Sequence, residues 1–169
     1  MPFFGKDQPG EMYYSTPKQI NLFGIVDCNS EKEVLHAYKY GEDHGGKGGN
    51  NVASLLMKHL EDLGWLDGTK RKTLNVVMDN CAGQNKNNYV LRLAPYLVEM
   101  GYFEEVNFIF LVVGHTKNVA DTLFNILKKC YRPQNIFSMG MMTEAMKHEL
   151  TIPYEVDWRV FKNWDKYMN

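Results

Sequence analysis

The chain has 169 residues, 44% hydrophobic and 23% charged, with 19 Lys plus Arg against 20 Asp plus Glu and a formal charge of −1. Nine Phe, ten Tyr and three Trp suffice for a core, which excludes disorder of the whole chain. The near-neutral balance excludes a histone-like polybasic binder, because binding by bulk charge needs a clear positive excess.

In chain order, residues 1–19 hold Pro2, Pro9, Pro17 and several Gly and read as an extended lead-in. Ile20 to Val26 reads as a strand, and Asp27-Cys28-Asn29-Ser30 carries turn chemistry. Val34 to Tyr40 is a second strand, so a hairpin is predicted, followed by a glycine-rich loop from Gly41 to Gly49. Val52, Leu55, Leu56, His59, Leu60 and Leu63 share one face of a 3.6-residue period and predict a helix, capped by Asn50 or Asn51 and ended at Gly64. Thr69 to Lys72 is a polar connector before a strand from Leu74 to Met78. A helix from Asn88 to Met100 would turn Tyr89, Leu93, Tyr96, Leu97 and Met100 inward, with Pro95 as a cost inside it.

Asn107 to Val113 is almost continuously apolar, the pattern of a strand buried on both faces. Val119, Leu123, Ile126, Leu127 and Cys130 mark a third helix, stopped by Pro133 and capped by Thr116. A weaker helix is expected from Thr143 to Glu149, and Trp158, Phe161 and Trp164 in the tail have helical spacing and should dock. Strands alternating with helices after a hairpin predict a three-layer mixed α/β sheet with helices on both faces. The domain scheme is a lead-in at 1–19, a core at 20–135 and a helical appendage at 136–169. No run of about eighteen apolar residues is present, so no membrane span is expected, and the first residues lack the pattern of a secretory signal. Cys28, Cys81 and Cys130 are far apart and odd in number, and read as free thiols of an intracellular protein, nuclear or cytoplasmic.

The segment Gly41-Glu42-Asp43-His44-Gly45-Gly46-Lys47 fits the spacing of a phosphate-binding loop. The position that needs Ser or Thr is Gly48, and two acids inside the loop would repel a polyphosphate, so a connector is the preferred reading over a nucleotide-binding domain. More informative is Asp79, at the carboxyl end of a strand and followed by Asn80 to Asn88, nearly all polar. Ligand chemistry gathers at strand carboxyl ends in α/β sheets, and a carboxylate there suits a hard cation. Gln84, Asn85 and Lys86 offer donors for phosphate or base edges. Helix capping alone would explain one or two of these residues. After the next strand come Gly114-His115-Thr116-Lys117-Asn118 and Asp121. Asp121 reads either as a favourable first-turn acid or as a partner of Asp79 at a shared metal pair, with Lys117, Lys128, Lys129 and Arg132 as a basic face nearby. His36 and His59 read as ordinary packed residues, and Met139, Met141 and Met142 as gap-fillers.

The blocks Asp79-Asn80-Cys81-Ala82-Gly83-Gln84-Asn85-Lys86-Asn87-Asn88 and Gly114-His115-Thr116-Lys117-Asn118…Asp121…Phe124 resemble the signature of an uncharacterised domain family of transposon-derived eukaryotic proteins. That family is similar to the ribonuclease-H-like catalytic cores of DDE-type transposases. Asn21 to Ile25 and Gly48 to Ser54 match it as well. The resemblance implies a ribonuclease-H-like fold and two-metal nucleic-acid cleavage or strand transfer using Mg²⁺ or Mn²⁺. Asp79 and Asp121 would be metal-binding acids, His115 a further catalytic residue, and Gln84, Asn85, Lys86, Lys117 and Asn118 contacts to DNA or RNA. It also implies a first strand carrying an acid before Pro2-Phe3-Phe4. No acidic strand lies before Ile20, so a core without its first strand is expected, inactive as this chain. Asp27 at the hairpin turn completes the triad only in an alternative register, while Glu42, Asp43 and His115 are weak supplements. The alternatives are a non-catalytic module binding nucleic acid or protein on the same fold, or the nucleotide-binding loop.

Overall fold

The computed structural model describes residues 1–6, 8–28, 31–112 and 118–167. The elements in chain order are a 3-10 turn at Gly10–Tyr14, strands β1 (Ile20–Asp27) and β2 (Val34–Gly41), helix α1 (Gly49–Asp62), strand β3 (Arg71–Met78) and helix α2 (Asn88–Glu99). Strand β4 (Phe103–Phe110), helices α3 (Val119–Tyr131) and α4 (Met139–Ala145), strand β5 (Thr151–Glu155) and 3-10 turns at Trp158–Val160 and Trp164–Lys166 complete the chain. The architecture is mixed α/β. The strands form two sheets, ordered β1-β2-β5 and β3-β4, in place of the single sheet that the alternation predicts. Among the described residues, β1 and β3 each pair along one edge only. The chain divides into two compact units, Met1–Gly45 with Lys117–Asp157, and Gly46–Thr116 with Trp158–Asn169.

In the first unit β1 and β2 form the predicted antiparallel hairpin, Ile20 opposite Gly41 and Asp27 opposite Val34. β5 adds to β2 in parallel, Leu35 opposite Thr151 and Lys39 opposite Glu155. The sequence pattern does not announce this strand, because Pro153 interrupts it. It is an edge strand, where a missing N–H is tolerated. Leu35 and Ala37 of β2 join Leu123 and Leu127 of α3, Ile136, and Met142, Ala145 and Met146 in one buried cluster. Gly24 of β1 faces it: a Cβ there would overlap the Phe124 ring and lie 2.7 Å from a Leu35 methyl. Only glycine lets Phe124 rest on the sheet. The lead-in is partly ordered as the turn at Gly10–Tyr14, and Phe3 exchanges two 2.8 Å backbone hydrogen bonds with Ile136. α4 starts four residues earlier than predicted, because Ser138 caps it by accepting from the Met141 N–H at 3.2 Å.

In the second unit β3 and β4 are parallel, Leu74 opposite Val106 and Met78 opposite Phe110, and α2 supplies the connection. α2 packs on β4 and on α1. Leu55, Leu56 and Leu60 of α1, Leu74 and Met78 of β3, Val90, Leu93 and Leu97 of α2, and Phe103 are buried. Both strands and the tail depart from expectation. β3 begins at Arg71 inside the supposed connector, where the Arg71 guanidinium donates to the carbonyls of Gly64, Trp65 and Thr69 and ties down the end of α1. β4 is not buried on both faces: it starts at Phe103, carries exposed Glu104 and Glu105, and leaves Ile109 half-exposed beside its register partner Val77. Charge is tolerated there because β4 is an edge strand. Met100 ends up exposed past the end of α2. Of the tail aromatics only Trp164 is buried, on a 3-10 turn and not a helix, while Trp158 is exposed.

The Lys39 side chain is fully buried, with its ammonium 2.7 Å from a carboxylate oxygen of the half-exposed Glu155. Glu155→Ala strands that ammonium without its carboxylate, and the stability from urea unfolding should fall by about 1.5–3 kcal/mol. Lys39→Met removes the buried charge altogether and should cost less than Glu155→Ala.

Candidate functional site

Asp79 follows directly on Met78 at the carboxyl end of β3 and is exposed. Beyond it the chain folds back sharply. The Cys81 carbonyl accepts from the N–H groups of Gln84 at 3.2 Å, Asn85 at 2.8 Å and Lys86 at 2.9 Å. This turn returns the Asn85 side chain to the start of the loop, where its amide donates to the Asp79 carboxylate. Lys86 lies with its ammonium 5.7 Å from the centre of the Phe110 ring, at the carboxyl end of β4. Such a cation–π contact holds the charge over the strand end without neutralising it. Asp79, Asn85 and Lys86 therefore gather at one edge of the parallel pair, where the sequence puts them.

Asn87 ends the loop. Its side-chain oxygen accepts from the N–H groups of Tyr89 at 3.1 Å and Val90 at 3.3 Å, which caps α2, and its side-chain nitrogen donates to the Gln84 carbonyl at 2.9 Å. The first turn of α1 sits directly against it. A Cβ on Gly49 would overlap the Asn87 side chain, so α1 can begin only with glycine at this position. The expected cap at Asn50 or Asn51 gives way to Gly48, which makes no side-chain cap. Asn50 is used elsewhere, accepting from the Trp164 N–H at 2.9 Å and donating to the Lys162 carbonyl. Ser54 accepts from the Trp164 indole N–H at 2.9 Å and the Lys162 N–H at 3.1 Å. The tail thus reaches the start of α2, where the Tyr89 hydroxyl lies 3.3 Å from the Asp165 carboxylate. Asn88, Tyr89, Arg92, Trp164 and Asp165 line a shallow cleft of about 270 Å³. Nothing in the sequence pattern singles out Arg92, Tyr89 and Asp165 as a group. The one signal is Trp164, which docks as expected.

The other expected site residues fall differently. Asp121 lies exposed in the first turn of α3, in the first unit. Its helix is capped by Asn118, whose side-chain oxygen accepts from the Ala120 N–H at 3.2 Å, so the cap is Asn118 and not Thr116. His115, Thr116 and Lys117 lie outside the described residues. Asp27 ends β1 at the hairpin turn. In the glycine loop the Gly41 carbonyl accepts from the His44 and Gly45 N–H groups, and Lys18, 2.8 Å away, hydrogen-bonds the Asp43 carboxyl and holds it below the usual carboxylate range. A loop that keeps such an anion charged is poorly suited to polyphosphate. His36 and His59 are buried, His36 stacked on Tyr154. Cys28, Cys81 and Cys130 are free thiols. No group of three His, Cys, Asp or Glu that could hold a metal ion occurs among the described residues, and no helix among them is long and apolar enough to cross a membrane.

The family described as a domain of unknown function, DUF7869, matches residues 15–168. No curated protein and no solved structure matches the chain.

Ser54→Ala leaves the buried Trp164 indole N–H and the Lys162 N–H without their acceptor. Unfolding in urea followed by tryptophan fluorescence should report a loss of about 1–3 kcal/mol, with the native emission shifted to the red as Trp164 loosens.

Proposed function

The chain belongs to the DUF7869 family, and we propose that it is a ribonuclease-H-like core of transposon descent that grips a nucleic-acid duplex at the carboxyl ends of β3 and β4 without cleaving it. The observation that carries this reading is the fold-back at Cys81, which aims Lys86 and Asn85 at the same strand edge as Asp79. An exposed ammonium next to amide donors, on a rigid parallel pair, is a phosphate-binding arrangement that fixes position rather than sequence. The likeness of the Asp79–Asn88 block to transposase-derived domains supports the same polymer as ligand.

Asp79 is the residue through which Mg²⁺ or Mn²⁺ would bind. The described residues do not fit a two-metal centre, since such a centre needs several carboxylates around one pair of ions. With no group of three such side chains among the described residues, the proposed role is binding. A second reading, a protein-binding module on the same fold, is favoured by the half-exposed apolar pair Val77 and Ile109 on the β3–β4 sheet.

Fluorescence anisotropy with labelled DNA and RNA duplexes, over a range of salt, tests the proposal. Lys86→Ala should weaken binding at every sequence and lower the slope of log K against log salt by about 0.9. Asp79→Asn removes an anion beside the phosphates and should bind at least as well. Absence of duplex binding at low salt would sink the proposal. So would Mg²⁺- or Mn²⁺-dependent cleavage that disappears in Asp79→Asn.

A further inference from the structure

We propose that the surface where α3 ends and α4 begins is a second site, a stacking platform for single-stranded nucleic acid. Lys128, Lys129 and Arg132 would hold the phosphates and Phe137 would stack a base. The site lies wholly in the first unit and does not depend on the loop after β3.

Between Asp121 and Glu144 the chain carries Lys128, Lys129 and Arg132 and no carboxylate, a local excess in a chain of net charge −1. Arg132 follows α3 with helical backbone angles, so it extends the Lys128 row by one turn, about 5–6 Å between Cβ atoms. None of the three cations has a side-chain hydrogen bond or ion pair among the described residues. Five residues after Arg132, Phe137 is 57% exposed, and Gly5, which follows its ring partner Phe4, lies against the Arg132 carbonyl. Its ring is set edge-to-face against Phe4, with centroids 5.6 Å apart. Three consecutive residues bind the platform together. Phe3 pairs with Ile136 and meets the Tyr131 ring at 5.8 Å, Phe4 meets Phe137, and the Gly5 N–H donates to the Asn135 side chain at 3.0 Å. The aromatic face is thereby held in place before any ligand arrives, which lowers the ordering cost of binding.

Basic residues in the last turn of a helix are favoured by its dipole, but the dipole does not account for the exposed, braced Phe that follows them in the chain. An acidic peptide would also meet three cations. Protein interfaces, however, are depleted in Lys, and two of the three cations here are Lys. Cations combined with an exposed aromatic ring are the means by which proteins bind single strands regardless of sequence, because every base has a face to stack.

The test uses the full chain, a fluorescein-labelled oligothymidylate, inorganic polyphosphate as a polyanion without bases, and polyglutamate as competitor. Phe137→Leu, which keeps bulk against Phe4 but lacks an aromatic face, should weaken oligothymidylate binding about 5- to 150-fold and leave polyphosphate binding unchanged. Phe137→Trp should restore the affinity. Lys128→Gln with Lys129→Gln should lower the salt slope by about 1.4. Wild-type oligothymidylate affinity in Phe137→Leu would overturn the proposal. Polyglutamate competing as well as unlabelled oligothymidylate would point instead to an acidic peptide. Loss of binding in Lys86→Ala with none in Phe137→Leu would assign the single strand to the loop after β3.

Discussion

Asn87 ties together three segments that would otherwise be independent. Its side chain caps α2, holds the Gln84 carbonyl of the preceding loop and presses against the glycine that opens α1. A helix start leaves four N–H groups without partners, and Asn87 supplies two of them with an acceptor while fixing the loop that carries Asn85 and Lys86. Because Asn87 occupies the space a Cβ at position 49 would need, the first turn of α1 has little freedom to shift. The tail then locks onto α1 through Asn50 and Ser54 and buries Trp164. Orientation of the polar edge at Asp79 is therefore a property of the whole second unit, and not of a surface loop alone.

Much of this was legible in the sequence. Alternation located the hairpin, and the 3.6-residue period located α1, α2 and α3. The parallel pairing of β3 with β4 followed from two apolar runs separated by a helical one. Asp79 was placed correctly at a strand end because the apolar run from Leu74 to Met78 stops at it. Other features were hidden for identifiable reasons. Pro153 masked β5, since a proline is compatible with a strand only at an edge and edge position is not visible in one dimension. Glu104 and Glu105 masked the start of β4 in the same way. The use of Asn50 for the tail, instead of for capping α1, depends on contacts over a hundred residues away in the chain. The division of the strands between two sheets depends on which edges find partners, and alternation cannot specify that.

Asp79 illustrates how one carboxylate supports two readings. As a metal ligand it would need further acids around it, and the described residues provide no such group. As part of a binding edge it needs only its neighbours, and Asn85 is bonded to it. In that second role the carboxylate orients an amide donor and the nearby Lys86 supplies the attraction. On the proposed reading, this edge positions a polyanion.

The central claim is that the loop after β3 is the contact. Two-dimensional ¹H–¹⁵N NMR of the full chain, titrated with duplex DNA at low salt, tests it most directly. The amide resonances of residues 79–88 should shift progressively and saturate together, with the Lys86 amide among them. Saturating duplex binding that leaves those amides unmoved would contradict the account.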